Sequence, residues 1–220
     1  MKRAVLVCIL FVHILNLFAQ LTDSIVYFPD GQKYKIIKMG NQWWMAENLK
    51  TSKYNNGTFI SLVTGTKEWS KLKTPGYCWY ENDSVTNKIY GALYNWYAVR
   101  TSKLCPQGWH VPTDAEWTVL SDYLGGANIA GSKLKEAGTI HWSYPNSKST
   151  DEEGFTALPG GNRNFDGTYC NLGYYGYWWT STENSTTNAI NRYLFYDNST
   201  IIGFSHLKEY GFSVRCVKDN

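Results

Sequence analysis

Two short blocks constrain this chain more than anything else in it. They are Cys105-Pro106-Gln107-Gly108-Trp109-His110-Val111-Pro112-Thr113-Asp114-Ala115-Glu116-Trp117 and, near the C-terminus, Gly211-Phe212-Ser213-Val214-Arg215-Cys216-Val217. In the first, Thr113 at an N-cap position and Glu116 three residues later each satisfy a backbone N–H that an opening helical turn leaves unpaired. Asp114 adds negative charge at the positive end of the helix dipole. Pro112 pushes Val111 into extended geometry, so the helix cannot begin earlier. Trp117, Leu120 and Leu124 recur at spacings of three and four, and Gly125-Gly126 supplies a stop. The pattern predicts a helix over 113–124. The second block reads as a terminal strand, and each block carries a cysteine able to join the two.

The N-terminus points to export. Lys2 and Arg3 precede an apolar run from Ala4 to Phe18, broken only by His13 and Asn16, and Ala19 before Gln20 marks a cleavage point. Residues 1–19 read as a Sec-type signal peptide, because an apolar run of roughly 15 residues falls short of the ~20 that span a bilayer. Residues 20–220 then form a single domain without a transmembrane segment, secreted or held at the cell surface. Removing Lys2 and Arg3 takes the 21 basic residues to 19 against 18 acidic ones, a near-neutral balance that implies neither nucleic acid nor an anionic surface as partner.

Four cysteines follow the signal: Cys78, Cys105, Cys170 and Cys216. An even count in an exported chain favours two disulfides, with three connectivities possible. Cys105 with Cys216 is the favoured pair, which leaves Cys78 with Cys170 and no free thiol. No pair has C-x-x-C spacing, and His110, His141 and His206 are scattered, so neither a metal nor another cofactor is expected.

Ten Trp and seventeen Tyr dominate the apolar content, while no long aliphatic helical face occurs. This composition predicts a loop-rich, β-dominated fold with an aromatic core. Expected elements include strands at 25–28, 33–38, 43–49 and 191–195 and a second helix over 129–137. The stretch 89–99 is compatible with helix from Leu93 or with extended chain throughout, and Phe165-Asp166-Gly167-Thr168 is a tight-turn signal.

Further blocks carry a family resemblance. Gln42-Trp43-Trp44-Met45-Ala46-Glu47-Asn48-Leu49, Tyr90-Gly91-Ala92-Leu93-Tyr94-Asn95-Trp96, Gly154-Phe155-Thr156-Ala157-Leu158-Pro159-Gly160-Gly161 and Tyr177-Trp178-Trp179-Thr180-Ser181-Thr182, together with the two opening blocks, run in order along the chain. The set resembles the Fibrobacter succinogenes major paralogous domain (FISUMP), a family of secreted and surface proteins of Bacteroidetes-type bacteria with no established activity. More distantly, Val111-Pro112-Thr113-Asp114-Ala115-Glu116-Trp117 is similar to a block of formylglycine-generating enzymes and sulfatase-modifying factors. That likeness implies an α+β, C-type-lectin-like fold, in which small twisted antiparallel sheets are flanked by two helices and carry long irregular loops. A cysteine near the first helix bridged to the last strand is a habit of that fold class, which supports Cys105 with Cys216.

The same comparison argues against shared chemistry. The closely placed copper-binding cysteines of formylglycine-generating enzymes have no counterpart, since Cys170 and Cys216 stand far apart. Tyr144-Pro145-Asn146 and Tyr196-Asp197-Asn198 lack the paired carboxylates with which C-type lectins hold calcium and sugar. Asp151-Glu152-Glu153 reads as a solvated acidic run, and Glu116 is already explained as a cap.

Candidate binding residues therefore lie in the long-loop region between about 139 and 183. Glycines at 160 and 161 let the chain turn beside Asn162, Arg163 and Asp166, which read either as a buried Arg–Asp pair or as ligand hydrogen-bonding groups. Tyr174, Tyr175 and Trp178 offer flat faces for sugars or peptide side chains, and Trp142 is expected to face outward with one or two of them. The expected function is non-catalytic recognition of a glycan or an extracellular protein. The alternatives are an enzyme acting on envelope or extracellular polymers and a purely structural surface protein.

Overall fold

The stretch 33–39 forms a strand whose Tyr34 and Ile36 turn to one core cluster and whose Ile37 and Met39 turn to another on the opposite face, with Lys33, Lys35 and Lys38 in solvent. In the computed structural model, which describes residues 25–146 and 148–219, this strand (β2, Lys33–Met39) pairs antiparallel with β1 (Ile25–Tyr27) and β3 (Gln42–Met45). The expected signal peptide at 1–19 lies outside the described residues. The short C-terminal strand β13 (Val217–Lys218) is inserted between β3 and β7 (Trp109–His110), so both ends of the described chain meet in one five-stranded antiparallel sheet.

A second five-stranded sheet has the order β12-β11-β10-β8-β9, built from Ile201–Leu207, Asn188–Phe195, Tyr175–Glu183, Gly160–Arg163 and Tyr169–Leu172 respectively. It is antiparallel apart from one parallel pairing of Gly176 with Gly161. A three-stranded sheet of β4 (Ser61–Leu62), β5 (Gly76–Cys78) and β6 (Leu93–Tyr94) completes the β structure, with β4 and β5 parallel.

Four α-helices occur among the described residues: α1 (Thr66–Trp69), α2 (Trp96–Val99), α3 (Asp114–Tyr123) and α4 (Ala127–Leu134). The architecture is therefore mixed α+β, as expected. At α3 the full capping box forms, with Thr113 Oγ1 accepting from the Glu116 backbone N–H and Glu116 accepting from that of Thr113. The second helix begins two residues earlier than its pattern predicts and ends at Leu134. Over 89–99 both readings hold in part, a strand at Leu93–Tyr94 followed by the one-turn α2, which Asn95 caps at Ala98 N–H.

Two expectations fail at the level of elements. The segment Gly211–Val217 is not a continuous strand: Gly211 bridges Arg163, Phe212 bridges Tyr94 and Ser213 bridges Trp178, so the chain changes partner at successive residues before β13 begins. The strand expected over 43–49 ends at Met45, because Met45 and Leu49 donate instead to the carbonyls of Cys216 and Val214 in that same threading segment.

The cysteines divide one against one. Cys105 and Cys216 are joined, with Cα atoms 6.0 Å apart and 111 residues between them in sequence. Cys78 and Cys170, expected as a second disulfide, are free thiols. Their separation follows from strand alternation, which turns neighbouring side chains to opposite faces. Tyr169 packs against Cys78, so the next residue of β9, Cys170, points the other way, its Sγ 3.2 Å from Asn162 Oδ1.

Candidate functional site

The local sequence Tyr175-Gly176-Tyr177-Trp178-Trp179 alternates across β10 and gives its two faces different tasks. On one face Trp178 joins Leu194 and Ile201 beneath Trp117 and Leu120 of α3 and Ala130 and Leu134 of α4. Arg192 fixes α3 over this face through Nε, 2.6 Å from Asp114 Oδ1. Gly176 has no room for a side chain there, since an added Cβ would lie 2.4 Å from the Trp178 ring and 2.7 Å from the Leu158 carbonyl.

The opposite face is set by register. Tyr175 stands opposite Phe195, Tyr177 opposite Tyr193 and Trp179 opposite Asn191, while Tyr193, Asn191 and Ala189 face Ile202, Phe204 and His206 of β12. At its Trp179 end this face is closed: Trp179 packs 4.5 Å from Phe212 and donates its Nε1–H to the Tyr94 carbonyl. Towards Tyr175 it opens. Tyr175 stacks on Phe195 at 4.4 Å and 27° and lies nearly parallel to Tyr177 at 5.4 Å and 12°, and Tyr177 stacks on Phe212 at 4.9 Å and 15°. Tyr174 and Phe204, at 50% and 55% exposure, flank the array, and Tyr174 meets Tyr196 edge-on at 5.4 Å. Such parallel and edge contacts fix the rings in place and leave an apolar, polarizable surface half open to water.

Polar groups edge this face. His206 lies 5.0 Å from Phe204 and 4.9 Å from Tyr210, with Nδ1 2.7 Å from Asn191 Oδ1. An amide oxygen only accepts, so Nδ1 carries the proton and Nε2 keeps its lone pair. Burial pushes the imidazole down to about 4, which keeps it neutral. Asn191 Nδ2 is buried without a partner among the described residues. From β9, Asn171 Nδ2 reaches Asn162 Oδ1 at 2.9 Å and the Tyr177 hydroxyl at 3.4 Å, and Asn162 in turn donates to Asn164.

The expected site residues are not all in one place. Tyr175 lies on the open face, while Tyr174, in the turn before β10, meets Tyr196, which packs with the covered-side core; Asn162, itself 2% exposed, reaches the open face through Asn171. Trp178 is on the covered side, its Nε1–H bonded to Asn48 Oδ1. Trp142 does not face outward: it is 1% exposed, donates to the Ala157 carbonyl and lies under the Lys135 ammonium. Nor do Arg163 and Asp166 pair. Arg163 is fully buried between the rings of Trp69 and Tyr169 and donates to the carbonyls of Val63, Thr64 and Gly167. Asp166 is turned to solvent in the tight turn, where it accepts from the backbone and hydroxyl of Thr168.

Tyr177 belongs to the aromatic run expected to bind, whereas Tyr193, Phe195, Phe204 and His206 join it on this surface without having been expected there. The available signal was a hairpin reading of 175–195 folded about Asn184-Ser185-Thr186-Thr187, which sets the two aromatic alternations against each other.

No group of three or more His, Cys, Asp or Glu side chains converges to hold a metal ion among the described residues, and no described helix is long and apolar enough to cross a membrane. No curated protein and no solved structure matches the chain at the significance required. The family described as the Fibrobacter succinogenes major domain matches residues 37–218, which takes in both opening blocks, the aromatic face and every strand except β1 and the start of β2. The chain belongs to the Fibrobacter succinogenes major domain family.

Proposed function

We propose that this protein is an exported, non-catalytic recognition module with a C-type-lectin-like architecture, and that it binds glycan through the open aromatic face of β10, β11 and β12. The observation that carries the reading is the ordered array of Tyr175, Tyr177, Tyr193 and Phe195, rings held by mutual stacking yet only half buried. Sugar rings carry C–H faces that lie against aromatic surface, with hydroxyls left over for neighbouring polar groups. The Asn162–Asn171–Tyr177 chain and the neutral His206 are such groups, and the face carries no formal charge to impose an ionic ligand. Export is supported by the N-terminal sequence and by the Cys105–Cys216 bond, since disulfides persist in oxidising compartments.

The test is a glycan array probed with the oxidised protein and with Tyr175→Ala and Phe204→Ala. Binding to a neutral glycan that both variants weaken at least tenfold is the expected result. Retention of all binding by both variants, or no binding to any glycan, sinks the proposal. A glycan that is cleaved instead of held would favour an enzyme acting on extracellular polymers.

A further inference from the structure

A second concavity lies away from the aromatic face and shares none of its residues. It is a cleft of about 510 Å³ between β2, the segment after β3 and the loop at 154–158, with Lys35, Glu47, Asn48, Lys50, Thr156 and Arg215 in its wall. We propose that this cleft binds a small ligand through a carboxylate seated near the Arg215 guanidinium.

Arg215 is 1% exposed, and every hydrogen bond it makes is to a neutral acceptor. Nε and Nη2 donate to Asn48 Oδ1 at 3.2 and 3.0 Å, Nη2 also reaches the Thr156 carbonyl at 3.4 Å, and Nη1 donates to the Phe155 carbonyl. A guanidinium has five N–H groups, so one on Nη1 has no partner among the described residues. Asp151 and Glu47 act on Arg215 only through space: Asp151 is occupied by the backbone and hydroxyl of Thr156, and Glu47 by Lys50 at 2.6 Å. Buried cations are ordinarily paired with an anion. Here no carboxylate among the described residues touches the guanidinium, Asp151 and Glu47 acting on it only from a distance, while the cation lines a cleft.

The rest of the wall agrees with that deficit. Its charged members are three cations and one carboxylate, and Lys35, exposed on β2, takes part in no ion pair among the described residues. Asn48 and Thr156 border the cleft with their polar groups held by Trp178, Arg215 and Asp151, and Leu158 adds an apolar wall. The carbonyls of Phe155 and Thr156 set negative dipoles against the guanidinium, and the Phe155 ring covers it at 4.0 Å, which disfavours a dianion such as phosphate relative to a singly charged carboxylate.

The test titrates the full oxidised protein with D-glucuronate, N-acetylalanine, the methyl ester of each and inorganic phosphate, read by calorimetry and by the Asn48 side-chain amide NMR signal. Glucuronate or N-acetylalanine is expected to saturate the protein and move that signal, with its ester at least tenfold weaker, and whichever acid binds distinguishes a sugar acid from an acylated amino acid. Lys35→Glu, a surface change, is expected to weaken binding at least tenfold, and Ala46→Phe, which fills the cleft, to abolish it, both with wild-type melting temperatures. The proposal is overturned if neither acid binds, if the esters bind equally well, if phosphate alone binds or if neither variant alters affinity. Loss of glycan binding at the aromatic face would leave these outcomes unaffected, so the two readings fail separately.

Discussion

At the scale of single residues, the block that opened the sequence reading turns out to be a clamp. The Nε2 of His110 lies 2.8 Å from Glu116 Oε1 and its Nδ1 2.6 Å from Asp219 Oδ1, so it ties the N-terminus of α3 to the chain just after β13. The hydrogen bond to Glu116, with help from Asp219, raises its pKa from 6.5 to about 9. A raised pKa means the folded state holds the proton more tightly, so the stabilisation is complete below about pH 6.5 and is lost as pH rises through 9. The ring is more than a third exposed, and solvent screening limits the effect to about 1 kcal/mol. Urea melts should therefore separate the wild type from His110→Gln at pH 6 and bring them together near pH 10; a constant gap would rule the clamp out. His206 has the opposite sign: held neutral down to about 4, it favours the fold above pH 6.5, and that contribution is lost as pH falls through 4. The two thiols also differ in kind. Burial pushes Cys78 up to about 11, while Cys170 is half exposed, so an aromatic disulfide reagent at pH 8 should consume one thiol in the folded protein and the second only after unfolding. Two thiols reacting at equal rates would contradict the burial of Cys78.

At the scale of elements, legibility in the sequence tracks the distance between partners. The α3 cap was readable because Thr113 and Glu116 are three residues apart and the chemistry is complete within one turn. The strand β2 is readable for the same reason, from the polar–apolar alternation of Lys33-Tyr34-Lys35-Ile36 in a short window. Arg163 was not: its sequence neighbourhood offered Asp166 three residues on, but its acceptors include Val63 and Thr64, about a hundred residues away. The aromatic face failed in the same manner, since Tyr175 and Tyr177 acquire their meaning from a register with Phe195 and Tyr193 that no local pattern states. A fully buried guanidinium holding three carbonyls between two rings has a definite consequence. Arg163→Ala leaves those carbonyls unpaired and vacates the space between Trp69 and Tyr169, a cost of about 3–5 kcal/mol. Chemical denaturation of the variant measures it, and a loss under about 1 kcal/mol would mean that water replaces the guanidinium without strain.

At the scale of the whole molecule, the three sheets are joined by the chain that runs from Gly211 to Cys216. It bridges β8 at Arg163, β6 at Tyr94 and β10 at Trp178 within three residues, and then enters the first sheet as β13. Because these partners are three different strands spread over two sheets and β13 enters the third, the segment cannot obey one strand's alternation, and residues 212–217 are all buried. The Cys105–Cys216 bond fastens the end of this segment to the approach of β7, closing a loop of 111 residues in sequence separation. In the chain-entropy account a closure of that length restricts the unfolded state by about 4–5 kcal/mol, roughly a third or more of the stability available to an ordinary domain. The double variant Cys105→Ala/Cys216→Ala is expected to lose that amount in urea titrations, less what repacking of two alanines in the core recovers. Loss should appear in one cooperative transition, because the segment tethered by the bond contacts every sheet; two separated transitions, with the β10–β12 sheet outlasting the β1–β3 sheet, would show that the threading segment holds its partners independently of the disulfide.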